Sequence, residues 1–184
     1  MELWSYPIGK FIREEHATEE QRRSWIQEIA RFPARLRLTV QNLNEEQLLT
    51  PYRPGGWNVK QVVHHLADND MNAFIRFKRA LTEEAPLAGT YNEKLWAELN
   101  DYHETPIDTS LILIDSLHQR FVILLRQLTP DQFQRNFVSP THGKMNLAAA
   151  TQIYAWHGRH HAAQIDSLME RMGWDNGYHA FKNG

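Results

Sequence analysis

The chain has 184 residues, 42% of them hydrophobic and 23% charged, and its 20 basic and 22 acidic side chains leave a net charge of −2. This is the profile of a single soluble globular domain over residues 1–184 with a substantial core, and mixed-sign charge provides no basic footprint for nucleic acid or an anionic membrane. The absence of cysteine excludes disulfides, thiolate metal sites and a protein thiol nucleophile. With no secretory signal and no apolar run near the ~18 residues of a membrane span, the expectation is a cytoplasmic protein.

Residues 1–17, with Tyr6-Pro7-Ile8-Gly9, read as a lead-in lying across the domain rather than as an element. Thr18 and Gln21 stand in capping-box spacing and open a helix over 19–31. Pro33 is expected to interrupt it and to begin a second helix over 33–43. Asn44 and Gln47 cap a short turn before the loop Pro51-Tyr52-Arg53-Pro54-Gly55-Gly56. Asn58 and Gln61 open a long helix over 59–83, apolar at Val62, Val63, Leu66, Ala67, Ala73, Phe74 and Phe77. Residues 84–108 read as irregular with a short helix at 93–99, and Asp108 as the cap of a third long helix over 109–128. Thr129 and Gln132 cap a further turn, and 135–146 read as a small hairpin or extended loop. Asn146 caps the last helix, 147–172, and Gly173 ends it. The tail 174–184 keeps Trp174, Tyr178 and Phe181 and is expected to pack on the domain or on a partner subunit. Long helices with long connections imply an all-α fold, a four-helix bundle with at least one crossover.

Three of the ten histidines fall in Tyr154-Ala155-Trp156-His157-Gly158-Arg159-His160-His161. Positions i and i+4 share a helix face, so His157 and His161 can reach one ion together. The apolar stripe Leu147, Ala150, Tyr154, Ile165, Leu168, Met172 puts His161 near its middle, His157 toward its edge and His160 well to one side. Imidazoles facing a core are costly unless their nitrogens are satisfied, and a metal would do that. The plainer reading of any single histidine is a hydrogen-bonded or surface ring, and His16, His103, His118, His142 and His179 rest there. For the pair, that reading is a polar stripe of Tyr154, His157 and His161 between helices. A zinc-protease reading is weak, because that motif needs Glu directly after the first histidine and Gly158 stands there. A third ligand would come from His64-His65, between which helical phase does not choose, or from Asp68 or Asp70. Two histidines with a carboxylate suit iron, whereas three imidazoles suit zinc or nickel with a position left open. Asp68 is also a candidate acceptor for a ligand N–H.

Trp57-Asn58-Val59-Lys60-Gln61-Val62-Val63-His64-His65-Leu66-Ala67-Asp68, Asn72-Ala73-Phe74-Ile75-Arg76-Phe77-Lys78 and the His157–His161 segment resemble the DinB/YfiT-like superfamily. Within it they are similar to the YfiT group of metal-dependent hydrolases. Tyr6-Pro7-Ile8-Gly9 and Glu93-Lys94-Leu95-Trp96-Ala97-Glu98-Leu99 extend the likeness over nearly the whole chain. The resemblance implies a four-helix bundle, a homodimer, and one divalent metal held by His65, His157 and His161. His65 is chosen because the superfamily's first ligand directly precedes Leu-Ala-Asp. Many members follow the last ligand with Arg-Gly-Gln, where this chain has Ala162-Ala163-Gln164.

The function so implied is hydrolysis of a small-molecule substrate, since an ion on three neutral imidazoles keeps its charge and can lower the pKa of water to about 7. Asp68 or Asp70 is the candidate base. A second implied chemistry is S-transfer from a low-molecular-weight thiol such as bacillithiol, with Arg76, Lys78, Arg79 and Arg159 as contacts for an anionic cosubstrate. A third reading, favoured by the missing glutamate, is a non-catalytic metal- or ligand-binding dimer.

Overall fold

A computed structural model describes residues 2–140 and 143–174. The expectations for His142, Tyr178, His179 and Phe181 lie outside the described residues. Short helices α1 (Glu2–Ser5), α3 (Glu45–Leu48), α5 (Glu93–Trp96), α6 (Asn100–Glu104) and α8 (Pro130–Phe133) surround four long ones. These are α2 (Glu19–Val40), α4 (Val59–Thr82), α7 (Ile107–Arg126) and α9 (Leu147–Met172). Strands β1 (Asn136–Ser139) and β2 (Gly143–Asn146) make the small hairpin, antiparallel with Phe137 opposite Met145.

Capping chemistry sets most of the starts. Thr18, Asn44, Asn58 and Thr129 each form a full capping box with the glutamine three residues on. Asn146 accepts from the Ala149 amide to open α9, and Gly173 closes it in the left-handed conformation at φ 65°. Two starts differ from expectation. The lead-in does contain an element, the single turn α1, although it also lies across α9: the Ser5 carbonyl accepts from Gln164, and Gln152 bonds both Ile12 and Glu14. Helix α7 begins at Ile107 behind Pro106, so Asp108 sits inside the first turn and pairs with Arg37 at 3.3 Å.

Pro33 does not break α2, which runs through it as one helix. Proline removes the N–H that would reach the carbonyl four residues back, that of Ile29. The His118 ring takes that N–H's place, with Nδ1 2.8 Å from the Ile29 oxygen. The helix thereby keeps its buried carbonyl satisfied, and Pro33 itself is buried.

In the bundle α2 packs on α7 and α9, and α4 packs on the same two helices. Thus α2 and α4 occupy opposite corners, as do α7 and α9, and the connections 41–58 and 127–146 each cross the bundle. The apolar core is divided. One cluster centres on Trp25, Ile29, Phe77, Phe121 and Leu147, and the other on Leu36, Val62, Leu66, Ile114 and Ile165. Between them along the helices fall Asn69 and Asp70 of α4, His118 of α7, and His157, His160 and His161 of α9, with His65 just ahead of the second cluster's last α4 members, Leu66 and Ala67. A polar layer crosses the middle of an otherwise apolar bundle, and Trp174 packs at the edge of the second cluster. Met172 departs from the expected stripe and is exposed.

Candidate metal centre

Helix α4 delivers His65 and helix α9 delivers His157 and His161 to one point. The Nε2 atom of His157 lies 3.3 Å from Nε2 of His65 and 3.2 Å from Nε2 of His161. One ring nitrogen from each of the three lies within 4.8 Å of the others. Nitrogens bound about 2.0–2.1 Å from a tetrahedral ion stand roughly 3.3–3.4 Å apart, so this spacing fits a shared cation. His65 and His161 are buried, and His157 is half-buried.

Burial pushes all three imidazoles well below the ordinary value of 6.5. The neighbouring rings push the same way: His161 on His65, His65 and His160 on His157, and His157 and His160 on His161. Each is therefore neutral at neutral pH, and no proton has to leave before a nitrogen lone pair can be used.

Hydrogen bonds fix where the remaining proton sits on His161. The Gln164 amide nitrogen donates to the Ser5 carbonyl at 2.9 Å and to His160 Nε2 at 3.0 Å, so its oxygen is the atom facing His161. His161 Nδ1 must then donate to that oxygen, at 2.8 Å, which leaves Nε2 as a lone pair aimed at the centre. His157 Nδ1 lies 3.2 Å from the amide of Asn69. His65 Nδ1 is buried without a hydrogen-bond partner, and the Trp57 ring covers this side, its centroid 4.7 Å from that of His65.

His160 is separated from the trio as helical phase predicts. Its ring stacks on Trp156 at 4.6 Å, and burial lowers its pKa to about 4. His64 is buried but turned away, with Nδ1 2.7 Å from the Ser110 hydroxyl. Asp68 accepts from the Tyr102 hydroxyl at 2.6 Å, and among the described residues no hydrogen bond joins it to any of the three imidazoles. Burial raises its pKa, and the Tyr102 bond opposes the rise. Asp70 is 2.7 Å from His118 Nε2. Burial pulls the His118 pKa down, but the Asp70 carboxylate and the Ile29 carbonyl outweigh it and leave it raised, so both ring nitrogens donate.

Gly158 also has a steric reason. A Cβ there would meet the Phe32 ring of α2 at 3.0–3.2 Å. Position 158 faces the α2 contact and not the histidines, so no general base could act from it. Of the four cations named for an anionic cosubstrate, Lys78 lies over the Phe74 ring, Arg79 pairs with Glu83 and Arg159 pairs with Glu28. Sequence reasoning missed the supporting amides Asn69 and Gln164. Their signal was spacing, since Asn69 is four residues beyond His65 and Gln164 three beyond His161, each on that histidine's helix face.

A four-helix bundle with three histidines converging in a polar mid-layer defines the class to which this chain is compared. Residues 20–165 match the DinB superfamily, and the chain belongs to that superfamily. It is similar to a protein of Bacillus mycoides strain KBAB4 named "Putative metal-dependent hydrolase", 50% identical over 169 residues that make up 92% of this chain and 97% of the relative. A protein of the same description from Bacillus cereus matches to the same extent. Among solved structures, YfiT from Bacillus subtilis, described as "a probable metal-dependent hydrolase with an unusual four-helix bundle topology", aligns with a TM-score of 0.92 at 47% identity. That alignment covers 94% of this chain and 99% of YfiT. The relatives' names and the converging histidines agree in pointing to a metal site.

Proposed function

We propose that this protein is a metal-dependent hydrolase in which Nε2 of His65, His157 and His161 holds one divalent ion, zinc or nickel. The observation that carries the reading is the close approach of three neutral imidazole nitrogens in a buried polar layer. Without a cation, three such nitrogens cannot all be satisfied by one another, which is costly in a core. When bound, the ion supplies the charge that acidifies water and polarises a substrate oxygen.

The chain's own residues prepare that chemistry. Burial keeps the rings uncharged, Gln164 sets the tautomer of His161, and Trp57 shuts one side of the site. Binding through Nε2 of His157 calls for a proton on its Nδ1 and an acceptor facing it. A half-turn of the Asn69 amide provides that acceptor. His157, the half-buried member, lines a cavity of about 200 Å³ with Asn69, which gives substrate a route to the layer. Asp68 reaches none of the three rings directly, so any service as a base runs through solvent, and Asp68→Asn is expected to cost less activity than loss of a histidine.

The test is turnover. Zinc- or nickel-loaded protein should hydrolyse small ester or amide substrates, and His65→Ala should abolish this. Conjugation of an electrophile that requires an added thiol, without hydrolysis, would reassign the site to thiol transfer. A bound metal with neither activity would make it a binding module.

A further inference from the structure

Beside His157 the cavity of about 200 Å³ is bounded by α4, by the connection around Thr90 to Glu93, by the hairpin and by α9. That volume lies below the roughly 300–1,000 Å³ of pockets for drug-sized ligands, so its occupant is small. Phe137, Met145 and Ile153 supply apolar wall, and Arg76 of α4 supplies the cation.

Arg76 is held in place by uncharged acceptors. One terminal nitrogen donates to the Tyr154 hydroxyl at 2.9 Å and the other to the Gly89 carbonyl at 2.9 Å. A guanidinium has five N–H donors, and these two bonds leave one on each terminal nitrogen and the one on Nε. Nε is buried with no partner, and so is the Tyr91 hydroxyl of the same cavity wall. No carboxylate forms an ion pair with Arg76 among the described residues. Glu93 lines the cavity too, but not within ion-pair distance. Lys78, Arg79 and Arg159, by contrast, are each engaged elsewhere.

The geometry points to this cavity as the seat of the substrate's carboxylate, with Arg76 as the residue that selects it and the reacting end of the substrate toward His157. This rests on the hydrolase reading for what happens at His157, though not for the binding itself. One guanidinium matches one negative charge, and a phosphate dianion would be left partly uncompensated in a half-apolar pocket that Glu93 also lines. The substrate class is therefore a small ester or amide that carries a carboxylate at its other end.

The test compares N-acetylglycine with its neutral, same-sized amide, N-acetylglycinamide, by calorimetric or NMR titration of the full chain, metal-free and zinc-loaded. The carboxylate should bind about tenfold or more tightly in both forms, as expected for a charge-assisted hydrogen bond. Arg76→Gln should bring its affinity down to that of the amide while zinc stoichiometry stays at the wild-type value. Glu93→Gln should tighten carboxylate binding, which keeps the test open if Arg76→Gln fails to fold. Equal binding of the two ligands by the wild type, undiminished binding by Arg76→Gln, weaker or unchanged binding by Glu93→Gln, or tighter binding of inorganic phosphate than of N-acetylglycine would each overturn the proposal. Loss of zinc binding with carboxylate discrimination intact would sink the hydrolase reading alone and uphold this one.

Discussion

His161 enters the centre with its tautomer already chosen, because Gln164 has both of its N–H groups engaged and can offer only an oxygen. His157 has the less settled partner, Asn69, whose nitrogen also lies 3.4 Å from Asp70. Two outcomes follow at this scale. Replacing His157 or His161 by Ala should abolish zinc binding measured by elemental analysis, while His160→Ala should keep wild-type stoichiometry. The converse result would move the ligand assignment by one residue. Asn69→Leu should weaken zinc affinity by about 10–100-fold, the range for losing a partner behind a ligating histidine, and Asn69→Asp should strengthen it. A competition titration with a chromogenic chelator measures both. The approach of His157 to His161 was legible from i, i+4 phase, and so was the turning of His160 to one side, against Trp156. The choice of His65 over His64 was not, since both flank the apolar face of their helix. It came from resemblance, and the structure turns His64 toward Ser110.

Among the elements, α2 and α9 press together where Gly158 meets Phe32, and α2 and α7 are joined where Pro33 leaves a carbonyl to His118. Gly158→Glu, which would write a zinc-protease motif into α9, should lower stability by about 1–3 kcal/mol or more through overpacking and confer no added hydrolysis. A denaturant melt and an activity assay together check this. His118→Leu strands the buried Asp70 carboxylate and should cost about 3–5 kcal/mol. Capping boxes made four helix starts readable in the sequence, since the signal lies within four residues. The continuity of α2 was not readable. A proline in a helix is tolerated only when another element satisfies the orphaned carbonyl, and that element, His118, lies 89 residues away. Asp108 misled for a related reason: Pro106 already sets the chain direction at that start, so no side-chain cap is needed.

Taken whole, the molecule is two apolar clusters on either side of a histidine layer, and that layer makes its stability depend on pH in two opposite ways. The three converging histidines, and His160 at about 4, have folded-state values below 6.5, so their contribution is present above about 6.5 and lost as pH falls through the folded values. His118 has a raised value, so its contribution is present below 6.5 and lost as pH rises through the folded value. Metal-free protein followed by urea unfolding from about pH 5 to about pH 8 should be most stable near 6.5, with the steeper decline on the acid side, where five lowered histidines, His64 among them, act against one. Added zinc should raise stability by about 4 kcal/mol at a thousandfold excess over its dissociation constant. The bundle and its hairpin were legible because hydrophobic period and capping are local. The polar layer was not, because it exists only when four helices are brought side by side.

His65 comes from a different helix than the other two histidines, so its replacement tests convergence itself. The decisive measurement is zinc stoichiometry and thermal midpoint for the wild type and His65→Ala, side by side. One ion per chain and a zinc-dependent rise in midpoint for the wild type, with both absent in His65→Ala, is the predicted result. Equal zinc binding and an equal rise in the two proteins would contradict a site shared between α4 and α9.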